Sequence, residues 1–157
     1  MAVKPIPDGY HTVTPYLIVR DAARAIEFYK AAFGATELFR MADPSSGKVG
    51  HAEIRIGDSV IMLADEHPEF LAVGPQTLGG TTFGILVYVP DVDARFAQAV
   101  AAGGTVERPL KDQFYGDRSG TLVDPFGHKW TIATHVEDVS PEEMERRLQA
   151  MMKGQAA

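Results

Sequence analysis

Two stretches of this chain echo each other 70 residues apart, and that echo restricts the possible folds more than any other feature. Asp21-Ala-Ala-Arg-Ala-Ile-Glu-Phe-Tyr-Lys-Ala-Ala-Phe-Gly34 is matched by Asp91-Val-Asp-Ala-Arg-Phe-Ala-Gln-Ala-Val-Ala-Ala-Gly-Gly104. Asp and Gly are thirteen residues apart in both copies, and Ala-Ala stands near the end of both. A unit of this length is too long for a solenoid repeat, and two copies imply a pseudo-two-fold arrangement.

Each copy reads as a helix. Asp21 and Asp91 (or Asp93) suit the N-cap, where a carboxylate accepts from open first-turn N–H groups. Gly34 and Gly103-Gly104 suit the left-handed turn that ends a helix. Ala22, Ile26, Tyr29 and Phe33 fall on one face, as do Phe96, Val100 and Gly103. An apolar run precedes each helix, Tyr16–Val19 and then Ile85–Val89. Short strands are expected next, at Thr36–Met41 and Thr105–Arg108. In the first copy, alternating His51–Ile56 meets Ser59–Ala64 through a Gly57-Asp58 turn. In the second, Gly120–Val123 meets Lys129–Ala133 through Asp124-Pro125-Phe126-Gly127. Each half therefore reads β-α-β-β-β.

The expected organisation is a single α+β domain over residues 1–157. The first βαβββ module covers about 10–66, a Pro- and Gly-bearing linker 67–80, and the second module about 81–136. Ser140-Pro141-Glu142-Glu143 is a capping box with Pro in the first helical position, so a C-terminal helix is expected over about 140–152. Its stripe of Met144, Leu148 and Met151 suits packing on its own domain or on a dimer partner, and Gly154 onward is expected to fray.

With 157 residues, 45% apolar and 23% charged, the chain can bury one core. Net charge is −6 and the only adjacent basic pair is Arg146-Arg147, which argues against nucleic acid. No run of eighteen apolar residues is present, so no spanning helix is expected, and no secretory signal is visible at the start. There is no Cys, which excludes disulfides, thiolate metal sites and a Cys nucleophile. The expected location is cytoplasmic. Gly-rich phosphate loops, a Gly-x-Ser-x-Gly elbow and a His-Glu-x-x-His helix are all missing.

Thr14-Pro-Tyr-Leu-Ile-Val-Arg-Asp21 with Phe28-Tyr29 and Phe33-Gly34, then Tyr115-Gly-Asp-Arg118 and Asp124-Pro-Phe-Gly-His-Lys-Trp130, resemble the modules of the vicinal-oxygen-chelate superfamily of glyoxalases, bleomycin-resistance proteins and dioxygenases. The combination is most similar to its metal-poor PhnB-like branch. The resemblance spans about residues 10–136. It implies a cup-shaped mixed sheet, with four ligands on the first and last strands of both modules in metal-dependent members. By the repeat register those positions fall at Thr14, Met62, Gly84 and Thr131. Glycine offers no donor, a thioether is soft and a hydroxyl is weak, so no cofactor and no metal residues are expected. A divalent metal would need other ligands, and His11 and His135 near the strand ends are the candidates.

The resemblance and the residues together nominate a cup. In His51–Ile56, the parity of Ala52, Ile54 and Ile56 turns His51, Glu53 and Arg55 to the concave side. His51 and Glu53 are the candidate acid/base pair, an imidazole beside a carboxylate; a plain solvated sheet face is the alternative. Thr14, Tyr16, Met62 and Thr131 are expected to line the ligand site. Phe114, Tyr115 and Arg118 are expected at its rim, where aromatics and a guanidinium suit flat or anionic molecules. Gly116 would let the backbone approach that ligand. Trp130 is expected in the core and His128 partly exposed.

The function this implies is binding of a small planar or anionic molecule without the usual metal. A metal-dependent lyase, isomerase or dioxygenase, or a metal-free acid/base enzyme using His51 and Glu53, are the alternatives. The expected partners are a small-molecule ligand and a second copy in a homodimer, with no nucleic acid and no membrane. Whether the modules pair within one chain or between chains stays open.

Overall fold

The capping logic of the two echoing helices carries through to three dimensions. A computed structural model describes residues 3–155. Strand β1 (Tyr16–Val19) leads into helix α1 (Ala22–Phe33), whose Asp21 cap accepts from Arg24 N–H at 3.0 Å. Gly34 ends it in the left-handed region at φ 68°. Strands β2 (Thr36–Ala42), β3 (Val49–Ile56) and β4 (Ser59–Asp65) complete the first module. A short 3-10 turn (Pro68–Phe70) and a one-turn helix α2 (Pro75–Leu78) form the connection. The second module repeats the order with β5 (Gly84–Tyr88), α3 (Val92–Ala102), β6 (Thr105–Asp112), β7 (Asp117–Val123) and β8 (Lys129–His135). Here Asp91, not Asp93, is the cap, accepting from Ala94 N–H at 3.0 Å. Helix α4 (Pro141–Gln155) follows.

The sheets are two, each four-stranded and mixed, in the orders β1-β4-β3-β2 and β5-β8-β7-β6. In each, the first strand lies parallel to the last and the other pairs are antiparallel. The pseudo-symmetry is visible in the register: Tyr16 pairs with Met62, and Leu86 pairs with Thr131.

One continuous core joins both modules through their helices. Helix α1 packs on α3. Tyr29 and Phe33 of α1 reach across to Trp130 of β8, with ring centroids 5.1 and 4.5 Å away. Below that cluster Asp124 is 4% exposed. Its Oδ2 accepts from the Tyr29 hydroxyl and the Trp130 N–H, both at 2.8 Å. Burial, with Asp124 beside it, pushes the Tyr29 phenol well above its ordinary value. His128 is buried, contrary to the sequence expectation: its Nε2 donates to the Ile18 carbonyl at 3.0 Å and so ties the β7–β8 turn to β1. The reason lies in the packing of the two modules, which closes over the turn.

With the helix sides joined, the opposite face of each sheet carries exposed side chains, Tyr16 and Met41 on the first and Leu86 and Tyr88 on the second, while Ser119 and Thr121 of β7 are buried. Strand parity sends Leu17, Val19, Ala52, Ile54 and Leu63 into the core and leaves Tyr16, His51, Glu53 and Met62 on the open side. Among the described residues, no helix is long and apolar enough to cross a membrane.

Candidate functional site

The open face of the first sheet gathers the candidate residues by register alone. Phe39 pairs with Glu53, Glu53 with Met62, and Met62 with Tyr16, so one row crosses all four strands. Met41 and His51 form the next pair along. Cross-strand neighbours on one face stand close enough to interact. The Tyr16 and His51 rings are 5.6 Å apart, and Phe39 lies 6.3 Å from His51 on its other side.

A hydrogen-bonded line runs through this row. The Tyr16 hydroxyl is 2.9 Å from His51 Nδ1, and His51 Nε2 is 3.1 Å from Glu53 Oε1. The Tyr10 hydroxyl donates to Glu53 Oε2. Tyr10, and to a lesser degree His51, hold the Glu53 carboxyl below its ordinary range against the opposing effect of burial. Partial burial, then the Glu53 charge, raises the Tyr16 phenol.

Beside Tyr16 opens a cavity of about 690 Å³. Its apolar walls are Tyr16, Ile18, Met41, Val49, Ala64 and Phe70. Three acids on its lining are already satisfied. Asp65 accepts from Ala22 N–H (2.8 Å) and Val49 N–H (2.7 Å), and Glu66 from Gly74 N–H (2.7 Å). The hydroxyls and N–H groups of Ser46 and Ser45 bring the Asp43 carboxyl down to about 2. Lys48 is the one cation among the lining residues. The 3-10 turn of the linker, through His67 and Phe70, forms part of the wall.

The remaining nominated residues lie elsewhere. Thr14 lines a second cavity of about 440 Å³ with Met62, Glu53 and Tyr10. Thr131 stands on the open face of the second sheet, its hydroxyl 2.9 Å from that of Thr121. Arg118 has the opposite parity to Ser119 and Thr121, and its guanidinium is held by Asp93 (2.7 and 2.9 Å) and Asp112 (3.2 Å) on the helix side. Phe114 packs edge-on against Tyr115, and its carbonyl accepts from Arg147 of α4. None of Phe114, Tyr115 and Arg118 lines the 690 Å³ cavity. What approaches Gly116 is the chain itself: a Cβ there, at φ 100°, would collide with the Glu137 carbonyl oxygen.

The donor set at the four projected metal positions does not fit a divalent cation. Met62 answers to Thr131 in the register, since they pair with Tyr16 and Leu86, which stand 70 residues apart; Thr14, projected onto Gly84, lies just before β1. The four positions offer two hydroxyls, one thioether and one missing side chain. Among the described residues, no group of three or more His, Cys, Asp or Glu is placed to hold a metal. His135 is held at both nitrogens, by Asp117 (2.8 Å) and Asp138 (2.9 Å), which favours its protonated form over a ligating one.

Sequence reading had no hold on Tyr10, Lys48 or Phe70, which come from irregular segments. Phe39 and Met41 were within reach, because alternation along the expected strand Thr36–Met41 puts both on the face opposite Leu38 and Arg40.

Comparison with known proteins adds the relatives. The family model described as Glyoxalase/Bleomycin resistance protein/Dioxygenase superfamily matches residues 10–132. The uncharacterized protein Rv0887c of Mycobacterium tuberculosis is 42% identical over 145 residues, covering 90% of this chain and 85% of that protein. YjdN of Escherichia coli is 25% identical over 140 residues, covering 76% and 92%. Among solved structures, TioX from Micromonospora sp. ML1 has a TM-score of 0.63 at 29% identity, covering 80% of this chain and 99% of TioX. Protein PA1353 from Pseudomonas aeruginosa has a TM-score of 0.66 at 25% identity, covering 81% and 99%.

Proposed function

This chain belongs to the glyoxalase/bleomycin resistance protein/dioxygenase superfamily, and from that premise we propose that it binds a small planar or anionic molecule on the open face of its first sheet, with no metal at the positions metal-dependent members use. The observation that carries this reading is the 690 Å³ cavity, walled by Tyr16, Met41 and Phe70 and bearing Lys48 as its cation. Pockets of this size suit drug-sized ligands, and a mostly apolar wall with one charged group is their usual make-up. The poor donor set at Thr14, Met62, Gly84 and Thr131 supports placing the chain in the PhnB-like branch.

The cup is completed in a homodimer. In one chain the open face leaves Tyr16 48%, Met41 59%, Leu86 49% and Tyr88 61% exposed. Large apolar groups on two uncovered sheet faces suit a partner's sheet, the first module of one copy facing the second module of the other. Thr131 then joins the cup from across the interface.

Calorimetric titration with a panel of aromatic carboxylates, chelator present throughout, tests the binding reading. Binding is expected without metal, and Lys48→Gln is expected to weaken it about twofold to fivefold, the strength of one partly screened charge pair. A panel without a binder, or binding that appears only on adding a divalent metal, removes the reading.

The geometry also favours a second reading, metal-free acid/base chemistry by His51 and Glu53. Their 3.1 Å contact, with Tyr16 on the far side of the imidazole, is the arrangement that orients a proton acceptor. A His51→Ala variant that turns a substrate over at the wild-type rate excludes it.

A further inference from the structure

The Tyr16–His51–Glu53–Tyr10 line joins two different cavities, and that gives it a direction. At one end Glu53 lies beneath the N-terminal segment, among Pro5, Ile6, Tyr10 and Met62. Both its oxygens are occupied, by Tyr10 and by His51. At the other end Tyr16 borders the 690 Å³ cavity. The order of the protons follows from the donor inventory. An ionised carboxylate only accepts, so the hydrogen between His51 and Glu53 sits on Nε2. In the neutral imidazole Nδ1 is then the acceptor, and the Tyr16 hydroxyl donates to it. The Tyr16 oxygen keeps acceptor capacity, and Tyr16 is the member of the line that borders the cavity.

Resting on the acid/base reading above, we infer that the ligand of this cavity carries a weakly acidic hydroxyl, phenolic or enolic, and that Tyr16 and His51 together take up its proton. The ligand's O–H bond breaks as its proton passes to the Tyr16 oxygen. The phenol's own proton moves to His51 Nδ1. Tyr16 ends as a neutral phenol donating to the ligand oxyanion, and His51 ends as an imidazolium with Glu53 as counter-ion. No electrons change hands, and nothing further is consumed. Tyr16 is the group that touches the ligand. His51, Glu53 and Tyr10 act through it: His51 stores the proton, Glu53 fixes the tautomer and stabilises the cation, and Tyr10 fills the second carboxylate oxygen. The rest state is poised for this direction, since Glu53 is held ionised while the Tyr16 phenol is held protonated.

Lys48 borders the same cavity and attracts an anion without any relay. The test therefore separates the two effects. Para-nitrophenol absorbs visible light only as its phenolate, and para-nitroanisole is the same ring without the acidic proton. Both are titrated against the full chain over a range of pH. Bound nitrophenol is expected to ionise about tenfold more readily than free nitrophenol, a downward shift of about one pH unit. Tyr16→Phe and His51→Gln are each expected to abolish that shift, read on nitrophenol at saturating protein so that any change in affinity, followed with nitroanisole, is separated from the change in ionisation. Glu53→Gln is expected to reduce it by at least half. A shift that survives Tyr16→Phe or His51→Gln, or one that disappears on Lys48→Gln instead, overturns the relay. Nitroanisole bound and nitrophenol bound without a shift removes the relay and leaves the cavity as a binding site. If neither compound binds, both readings fall.

Discussion

Asp124 holds four hydrogen bonds with two oxygens. Oδ1 accepts from Phe126 N–H (2.8 Å) and His128 N–H (3.0 Å), which makes the β7–β8 turn. Oδ2 takes Tyr29 and Trp130. In Asp124→Asn, if the amide oxygen serves the turn, the NH2 group faces those two donors. Tyr29 can rotate its hydroxyl to accept, but the Trp130 indole only donates and is left unpaired in the core. The expected loss is about 2–4 kcal/mol, read as a lower urea midpoint at unchanged slope. Tyr29→Phe removes one bond and is expected to cost about 1 kcal/mol. An Asn variant no less stable than that Phe variant would refute this ranking. The local half of Asp124's work was legible, since Asp-Pro-x-Gly announces a turn. The other half depends on a residue 95 positions away, which no local pattern carries. The same contrast runs through the site. The His51–Glu53 pair follows from alternation, whereas Tyr10 and Lys48 arrive from segments without a period.

Elements were legible in kind and order, and mostly too short at their ends. The expected strand at 105–108 is β6, which continues to Asp112. Pro109 is what hides the extension, because proline cannot donate to a ladder. It is tolerated because β6 is an edge strand and because the pairing slips between Arg108 and Lys111, where Pro109 sits. Strand β7 begins three residues before its expected start because Asp117 is drawn into the sheet by Tyr88 and His135. That cluster makes stability depend on pH. Asp138, then Asp117, raise the His135 imidazole above its ordinary value. A raised imidazole stabilises the fold fully below the unfolded value of about 6.5, and the contribution fades as pH climbs through the folded value. Melting temperatures of wild type and His135→Gln are therefore expected to differ most at about pH 6 and to converge on the alkaline side. A gap that widens with rising pH would reverse the assignment. Helix α4 is tied down through Arg147, which reaches Glu137 (2.6 and 2.8 Å), Glu143 (2.7 Å) and the Phe114 carbonyl (3.3 Å). Arg147→Ala is expected to speed amide exchange across Pro141–Gln155 while β7 and β8 keep their protection. Unchanged exchange in α4 would show that its apolar stripe alone anchors it.

At the scale of the molecule, the repeat implied two like modules but left their pairing open. Contacts such as Tyr29 with Trp130 and α1 with α3 join the helix sides within one chain and leave Tyr16, Met41, Leu86 and Tyr88 exposed on the opposite faces, which is the ground for the swapped pairing proposed above. In the proposed homodimer each cup takes its first-module wall from one chain and its second-module wall from the other. That geometry has a consequence that closure within one chain does not share. Take one variant damaged only on the first face, Tyr16→Arg, and another damaged only on the second, Thr131→Arg. Each alone is a dimer whose two cups both carry a defect, so neither binds para-nitroanisole. Unfolded together and refolded as an equal mixture, about half of the dimers are mixed. Each mixed dimer pairs the damaged first face with the damaged second face in one cup, and the two sound faces in the other. About a quarter of the wild-type binding capacity is then expected to return, since one cup in two is intact in half of the dimers. Cups closed within single chains would recover nothing, because every chain in the mixture carries a damaged wall. Equilibrium sedimentation of the same mixture guards the result: a monomer at binding concentrations would itself end the swapped-cup proposal, whatever the titration returned.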